Sequence, residues 1–350
     1  MSRPLKYNDE IEKDIRIKIN EIQQELPKFC RNYFISLETT TLPRTRLGYA
    51  YDIRLFFQYL VESNPVYNKI GMRNLELKVL EEQSPMDIEE YMIYLKCYEK
   101  DGVTYTNNEN GIKRKMSSIR SLYAYFFKKE MISSNPTVMV NMPKLHEKAI
   151  IRLEPNEIVS LLNAAESGAN MTKKQLESHK LTKTRDVAIL TLLLGTGMRV
   201  SECVGIDIND ISFDECQILI HRKGGKEVIL YFGDEVEAAI KDYMEIRKNM
   251  KPVEGSENAL FLSLKNSRIS VRSVELLVKK YSQLSSTVKH ITPHKLRSTY
   301  GTRLYEESGD IYLVADVLGH KDVNTTRRHY AAIDEERRRS ARNQVKLRKD

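Results

Sequence analysis

The sequence predicts a mainly α chain in two domains, with a small antiparallel β-sheet in the C-terminal domain. Three observations carry this. Long segments in the N-terminal part place apolar residues at helical spacing. A charged, proline-bearing stretch, Asn141 to Lys148, breaks that pattern. Farther on, two β-like segments flank the turn Lys223-Gly224-Gly225-Lys226. A chain of 350 residues is also long for one core. The expected division is a helical domain over 1–140, a linker over 141–150, a second domain over 151–334 and a basic tail over 335–350.

The first helix is expected over Asp9 to Leu26, where Ile11, Ile15, Ile19 and Ile22 recur before Pro27. A second covers Thr45 to Leu60, with Ala50, Ile53, Phe57 and Leu60 on one face. A third runs from Met86 to Tyr98 behind the start signal Ser84-Pro85. A fourth spans Gly111 to Met131, striped by Ile112, Met116, Ile119, Tyr123 and Phe126. Its other face carries Lys113, Arg114, Lys115, Ser118 and Arg120, a candidate surface for a nucleic-acid groove. A solvated polar face explains the same residues, and the downstream motifs tip the reading toward groove contact.

Past the linker, Leu153 to Glu157 opens a helix through Ala165, and another covers Arg185 to Leu194, ending at Gly195-Thr196-Gly197. Gln217 to Arg222 and Glu227 to Phe232 form the hairpin, and Ala259 to Leu264 is a candidate third strand. From Ser270 onward the pattern is helical again.

Composition narrows the function class. The net charge of +8 favours a polyanionic partner, nucleic acid first. Cys30, Cys97, Cys203 and Cys216 form no C-x-x-C pair and no zinc spacing, so free thiols in a reducing compartment are expected. Cys203, between Val200, Val204 and Ile206, reads as a packing residue. Met1 to Glu12 is polar, and the apolar run Val187 to Leu194 is too short for a bilayer. The expectation is a cytoplasmic protein with no membrane anchor.

Five short elements follow in order: Gly195-Thr196-Gly197-Met198-Arg199, the Lys223 hairpin, His294-Lys295-Leu296-Arg297, Leu318-Gly319-His320 and Tyr330. Each alone has a plain structural explanation. Arg199 opens a short helix, where backbone N–H groups favour an anion and the guanidinium adds a fork; a capping surface arginine reads the same. Lys223 sits at a hairpin tip, with Lys226 its rival across the turn. Thr292-Pro293 reads as cap and first turn, putting His294 and Arg297 on one helix face. Gly319 suits the residue after a helix end, with His320 beyond it. Tyr330 is the only tyrosine after His320, in a basic setting that favours phenolate. Together the six side chains suit attack on a phosphodiester with no metal and no cofactor. Arginine forks hold the non-bridging oxygens, a phenolate attacks, and a lysine or histidine protonates the leaving oxygen.

With these residues the chain resembles the tyrosine recombinase (phage integrase) family. Gly-Thr-Gly-Met-Arg-Val-Ser-Glu is similar to the first arginine box, and His-Lys-Leu-Arg-Ser-Thr-Tyr-Gly-Thr-Arg-Leu to the second. Leu-Gly-His-Lys-Asp-Val-Asn-Thr-Thr-Arg-Arg-His-Tyr is similar to the third, and Arg-Lys-Gly-Gly-Lys-Glu to the catalytic lysine turn. The clear resemblance covers roughly Arg185 to Ile333. Tyr49 to Leu60 and Ile119 to Phe127 fit the core-binding domain more loosely. Among members the chain looks Xer-like, closer to single-protein Xer systems of some Gram-positive bacteria than to paired ones. Ser298 stands where many members have a second histidine. His320 to Tyr330 spans ten residues, one more than is usual among Xer proteins and similar to conjugative-transposon integrases.

The resemblance implies a helical core-binding domain followed by a mixed α/β catalytic domain. It implies that Arg199 and Arg297 clamp the scissile phosphate and that Lys223 is the general acid. His294 would assist proton transfer, His320 would hydrogen-bond the phosphate, and Tyr330 would attack. The implied activity is site-specific recombination through a 3′-phosphotyrosyl intermediate, for integration, excision or chromosome-dimer resolution. The implied partners are double-stranded DNA bearing a recombination site, a homo-tetramer on that DNA, and a directionality or activating factor. Two other readings are open. A type IB topoisomerase would relax plasmids without site preference, and a non-catalytic accessory protein would bind DNA without cleaving it.

Overall fold

The computed structural model describes residues 7–144, 151–222, 226–285, 289–319 and 323. Lys223, His320, Tyr330 and the expected basic tail lie outside the described residues. The chain divides into two compact units, Met1–Lys148 and Ala149–Asp350.

The first unit contains α1 (Tyr7–Glu25), α2 (Cys30–Leu37), α3 (Pro43–Ser63), α4 (Pro65–Ile70), α5 (Lys78–Glu81) and α6 (Pro85–Tyr94). These are followed by β1 (Cys97–Lys100), β2 (Val103–Thr106) and α7 (Glu109–Lys128). The apolar stripes explain the long helices. Ile15, Ile19 and Ile22 of α1 pack toward α3, which buries Ala50, Ile53, Phe56, Phe57 and Leu60. Helix α3 also meets α7, which buries Ile112, Met116, Ile119 and Tyr123. Ser84 and Asp87 start α6 with a reciprocal cap: the Asp87 N–H donates to Ser84 Oγ at 3.3 Å, and the Ser84 N–H donates to Asp87 Oδ2 at 2.7 Å.

Two differences from the sequence reading stand out in this unit. Helix α6 stops at Tyr94, not Tyr98, because Cys97 and Tyr98 belong to a hairpin. Its two-residue turn is Asp101-Gly102, both at positive φ (51° and 71°), which is the backbone a tight hairpin demands. Tyr98 stacks between Tyr94 and Tyr105, with centroids 5.2 and 5.4 Å away. So antiparallel pairing is not confined to the C-terminal half.

The second unit contains α8 (Pro155–Ser167), α9 (Lys173–Thr196), α10 (Val200–Gly205), β3 (Ile211–Ser212), β4 (Gln217–Arg222) and β5 (Lys226–Tyr231). Then come α11 (Asp234–Arg247), α12 (Val271–Leu284), α13 (Pro293–Ser308) and α14 (Ile311–Leu318). Helix α9 is the axis, packed by α8, α10, α11, α12 and α13. It begins twelve residues earlier than its apolar run suggests, because Thr172 and Gln175 form a capping box. Asp186 pins it in place. This buried carboxylate accepts from Thr182 Oγ1 (3.0 Å), Arg185 Nη2 (2.6 Å) and Tyr281 Oη (2.9 Å) of α12.

The sheet is antiparallel in the order β3-β4-β5, and Arg222 pairs with Lys226 at its end. The third strand is Ile211–Ser212, not Ala259 to Leu264. In the latter segment the Ala259 carbonyl accepts from Arg247 Nε (3.1 Å) and the Leu262 N–H donates to Tyr243 Oη (3.1 Å). Those backbone groups are spent on side chains, leaving two isolated bridges. Cys203 is buried, and burial pushes its thiol up to about 12, so it packs as a neutral group. No described helix is long and apolar enough to cross a membrane.

Candidate active site

The site grows from the C-terminal end of α9. Gly197 closes that helix at φ 61°, and a Cβ there would lie 2.3 Å from the ring of Tyr300. Only glycine fits such a turn against α13. The turn delivers Arg199 in extended backbone at the start of α10.

Glu202 then fixes Arg199. Its Oε2 accepts from the Arg199 backbone N–H and its Oε1 from Arg199 Nη1, both at 2.8 Å. The sequence reading placed an anion at the start of this helix. In the structure α10 has six residues, and the Arg199 N–H that caps it donates to Glu202. What faces outward is the guanidinium itself, whose side chain is 42% exposed.

Helix α13 begins at Thr292-Pro293 as expected, although the Thr292 side chain makes no capping hydrogen bond. His294 is exposed on its first turn. Arg297, one turn on, is buried; its Nη1 donates to the Gly197 carbonyl at 2.7 Å, and its Nη2 donates to Leu318 O.

The end of α14 gathers the rest. Arg222 Nη2 donates to Val317 O at 3.2 Å, Arg297 to Leu318 O, and Arg199 Nη2 to Gly319 O at 3.3 Å. Three successive carbonyls thus take three arginines from three separate segments. A helix C-terminus carries partial negative charge, which favours this. Arg222 Nε also lies 3.3 Å from Glu202 Oε1, near enough for an ion pair but not aligned for a hydrogen bond. Among the described residues the cluster holds three guanidinium groups against one carboxylate. Such a surplus in a partly buried setting is suited to an anion with several oxygens.

Residues 151–337 match the model of the phage integrase family. The chain is 33% identical over 327 residues to tyrosine recombinase XerC of Caldanaerobacter subterraneus subsp. tengcongensis, covering 90% of this chain and 85% of that protein. It is 30% identical over 348 residues to tyrosine recombinase XerS of Streptococcus agalactiae, covering 92% and 96%. The chain belongs to the phage integrase family and is a tyrosine recombinase. Its fold is shared with XerH site-specific recombinase, in a crystal structure of a post-cleavage complex with a palindromic difH substrate. That match has a TM-score of 0.62 and 20% identity, and covers 95% of this chain and 93% of that one.

The recombinase therefore brings together two of the sequence-predicted site residues, Arg199 and Arg297, with His294 a turn from the second. Two residues of the cluster escaped the sequence reading. Glu202 had a signal, standing three residues after Arg199 where a capping carboxylate belongs. Arg222 had none beyond ending a strand.

On α7 the expected basic face of the recombinase is divided. Lys113 is exposed. Arg114 is half-exposed, yet forks onto the buried Asp52 of α3 at 2.7 and 2.8 Å. Lys115 donates to Asn107 Oδ1 (2.9 Å); burial, helped by Arg114, holds its pKa below the ordinary lysine value. Arg120 donates to Val140 O at 2.6 Å. Ser118 is a correction: it is buried, and its hydroxyl donates to Asp52 Oδ2 at 2.7 Å. A buried carboxylate must be hydrogen-bonded, and Ser118 and Arg114 meet that need.

Proposed function

We propose that the recombinase cuts and rejoins duplex DNA at a specific site through a 3′-phosphotyrosyl intermediate. Tyr330 Oη attacks the scissile phosphorus, and the bond to the 5′-oxygen breaks. Lys223 gives that oxygen its proton, with His294 assisting. Arg199 and Arg297 hold the non-bridging oxygens as charge builds in the transition state, and His320 adds a hydrogen bond. A 5′-hydroxyl from a partner strand then attacks the phosphotyrosine and releases the phenol. One phosphoester replaces another at each step, so the exchange needs no external energy source.

The observation that carries this reading is the meeting of Arg199 and Arg297 at adjacent carbonyls of α14, one residue before His320 in the chain. The division of labour follows the two units. Residues 1–140 supply duplex binding, with Lys113 of α7 at a phosphate. Residues 151–334 supply the chemistry. Exchanging all strands of two duplexes takes four cuts, so the working form is a homo-tetramer on DNA, open to a directionality or activating factor.

The test uses a nicked suicide substrate that traps the covalent complex. Wild-type protein should accumulate adduct, and Tyr330→Phe should form none. Equal adduct from both would remove Tyr330 as nucleophile.

A further inference from the structure

Arg222 lies one residue before the proposed general acid. Its side chain is 13% exposed, at the end of β4. It touches two other segments of the site at once. Nε lies 3.3 Å from Glu202 Oε1, and Nη2 donates to Val317 O at 3.2 Å. Its fit against Gly319 is close: Gly319 stands at φ 61°, and a Cβ there would come 2.1 Å from Arg222 Nη1.

Glu202 is thereby shared. One carboxylate oxygen, Oε1, faces both Arg199 Nη1 and Arg222 Nε, while Oε2 holds the Arg199 backbone. A buried carboxylate with a single cation partner turns toward it. With a second cation at the same oxygen, its angle is set by both. The guanidinium of Arg199 inherits that angle, since it is bound to Glu202 at one edge and to Gly319 O at the other. Arg222 also binds the turn of α14 that Arg297 and Arg199 use, so it ties β4 to the same helix end.

We propose that Arg222 is a positioning residue for the phosphate clamp: acting through Glu202 and the C-terminal end of α14, it aims Arg199 at the scissile phosphate. Its contacts among the described residues are with Glu202 and the Val317 carbonyl, and it acts through them. A lysine in its place would keep the charge beside Glu202 but lack the second arm for Val317. This inference rests on the reading of Arg199 as a phosphate clamp.

The test compares wild type, Arg222→Met, Arg222→Lys and Arg199→Ala in single-turnover cleavage at saturating protein. Two substrates are used: the ordinary phosphodiester, and one with a methylphosphonate at the scissile position. The methylphosphonate lacks one charged oxygen, so it needs less from an arginine fork. On the phosphodiester, Arg222→Met should cleave about 10- to 100-fold more slowly with DNA affinity little changed, the size of loss expected from a misaimed group. Arg222→Lys should fall between it and wild type. On the methylphosphonate the gap to wild type should narrow for both Arg199→Ala and Arg222→Met. If Arg222→Met does not fold, Arg222→Lys is read in the same way.

Wild-type cleavage by Arg222→Met would overturn the proposal. So would narrowing for Arg199→Ala alone, with the Arg222 deficit unchanged on both substrates. Failure of Arg199→Ala itself to narrow would overturn the clamp reading, and this proposal with it.

Discussion

Glu202 carries more of the site than its size suggests. It is buried, it binds Arg199 twice, and Arg222 Nε lies 3.3 Å from the same oxygen that accepts from Arg199 Nη1. Glu202→Gln keeps the shape but removes the charge and replaces one acceptor with a donor. An amide N–H would then face a guanidinium. The expected outcome is cleavage slower by about 10- to 100-fold with DNA binding intact, read by single-turnover kinetics beside a binding titration. Retention of the wild-type rate would show that Arg199 is held without it. Residues of this kind explain what the sequence concealed. Arg199, His294 and Arg297 stand in recognisable boxes. Arg222 acquires meaning only when β4, α10 and α14 meet. Ser118 was misplaced for a related reason: its polarity suggested solvent, but a buried carboxylate on another helix claimed it.

Among the elements, legibility followed length and period. Helices α1, α3 and α7 were readable because each repeats an apolar stripe over several turns. Helices α2, α4 and α5 run four to eight residues, too short for a period to declare itself. The β1–β2 hairpin carries a turn signal in Asp101-Gly102 that the sequence reading passed over when it ran the third helix on to Tyr98.

Helix α7 offers a test at this scale. Lys113 is exposed, whereas its neighbours are engaged with protein groups. Lys113→Ala should weaken DNA binding evenly across sequences and lower the slope of log affinity against log salt by about one phosphate's worth. An unchanged slope would take α7 off the DNA.

Helix α9 offers another. His179 is buried against Tyr281 of α12, with Nδ1 3.1 Å from its hydroxyl. Burial first, then the charges of Lys280 and Lys183, lower the His179 pKa below 6.5, against an opposing pull from Asp186. The unfolded chain therefore takes up this proton more readily than the folded one. Stability should fall as the pH drops below about 6.5, and His179→Gln should flatten that part of the curve. Thermal unfolding of the two proteins from about pH 7.5 to 5.5 reads the difference; parallel curves would refute it.

For the whole molecule, the decisive feature is long-range. Segments at Gly197–Arg199, Arg222, Arg297 and Val317–Gly319 reach one place because α9 forms an axis on which α10, α11 and α13 pack. The order of the short motifs was visible in the sequence, and the meeting of Arg199 with Arg297 follows from the α-helical scaffold around α9. Net charge, likewise visible, suits a polyanion but says nothing about where it binds.

The most direct test of that convergence is a double-mutant cycle on covalent adduct formation. Arg199→Lys and Arg297→Lys keep the charges but remove the forks. If both arginines grip one phosphate, each single variant should lose most of the rate, and the double variant should lose little more. Losses that multiply independently would mean the two arginines act at different places, and the account of a single clamp would be wrong.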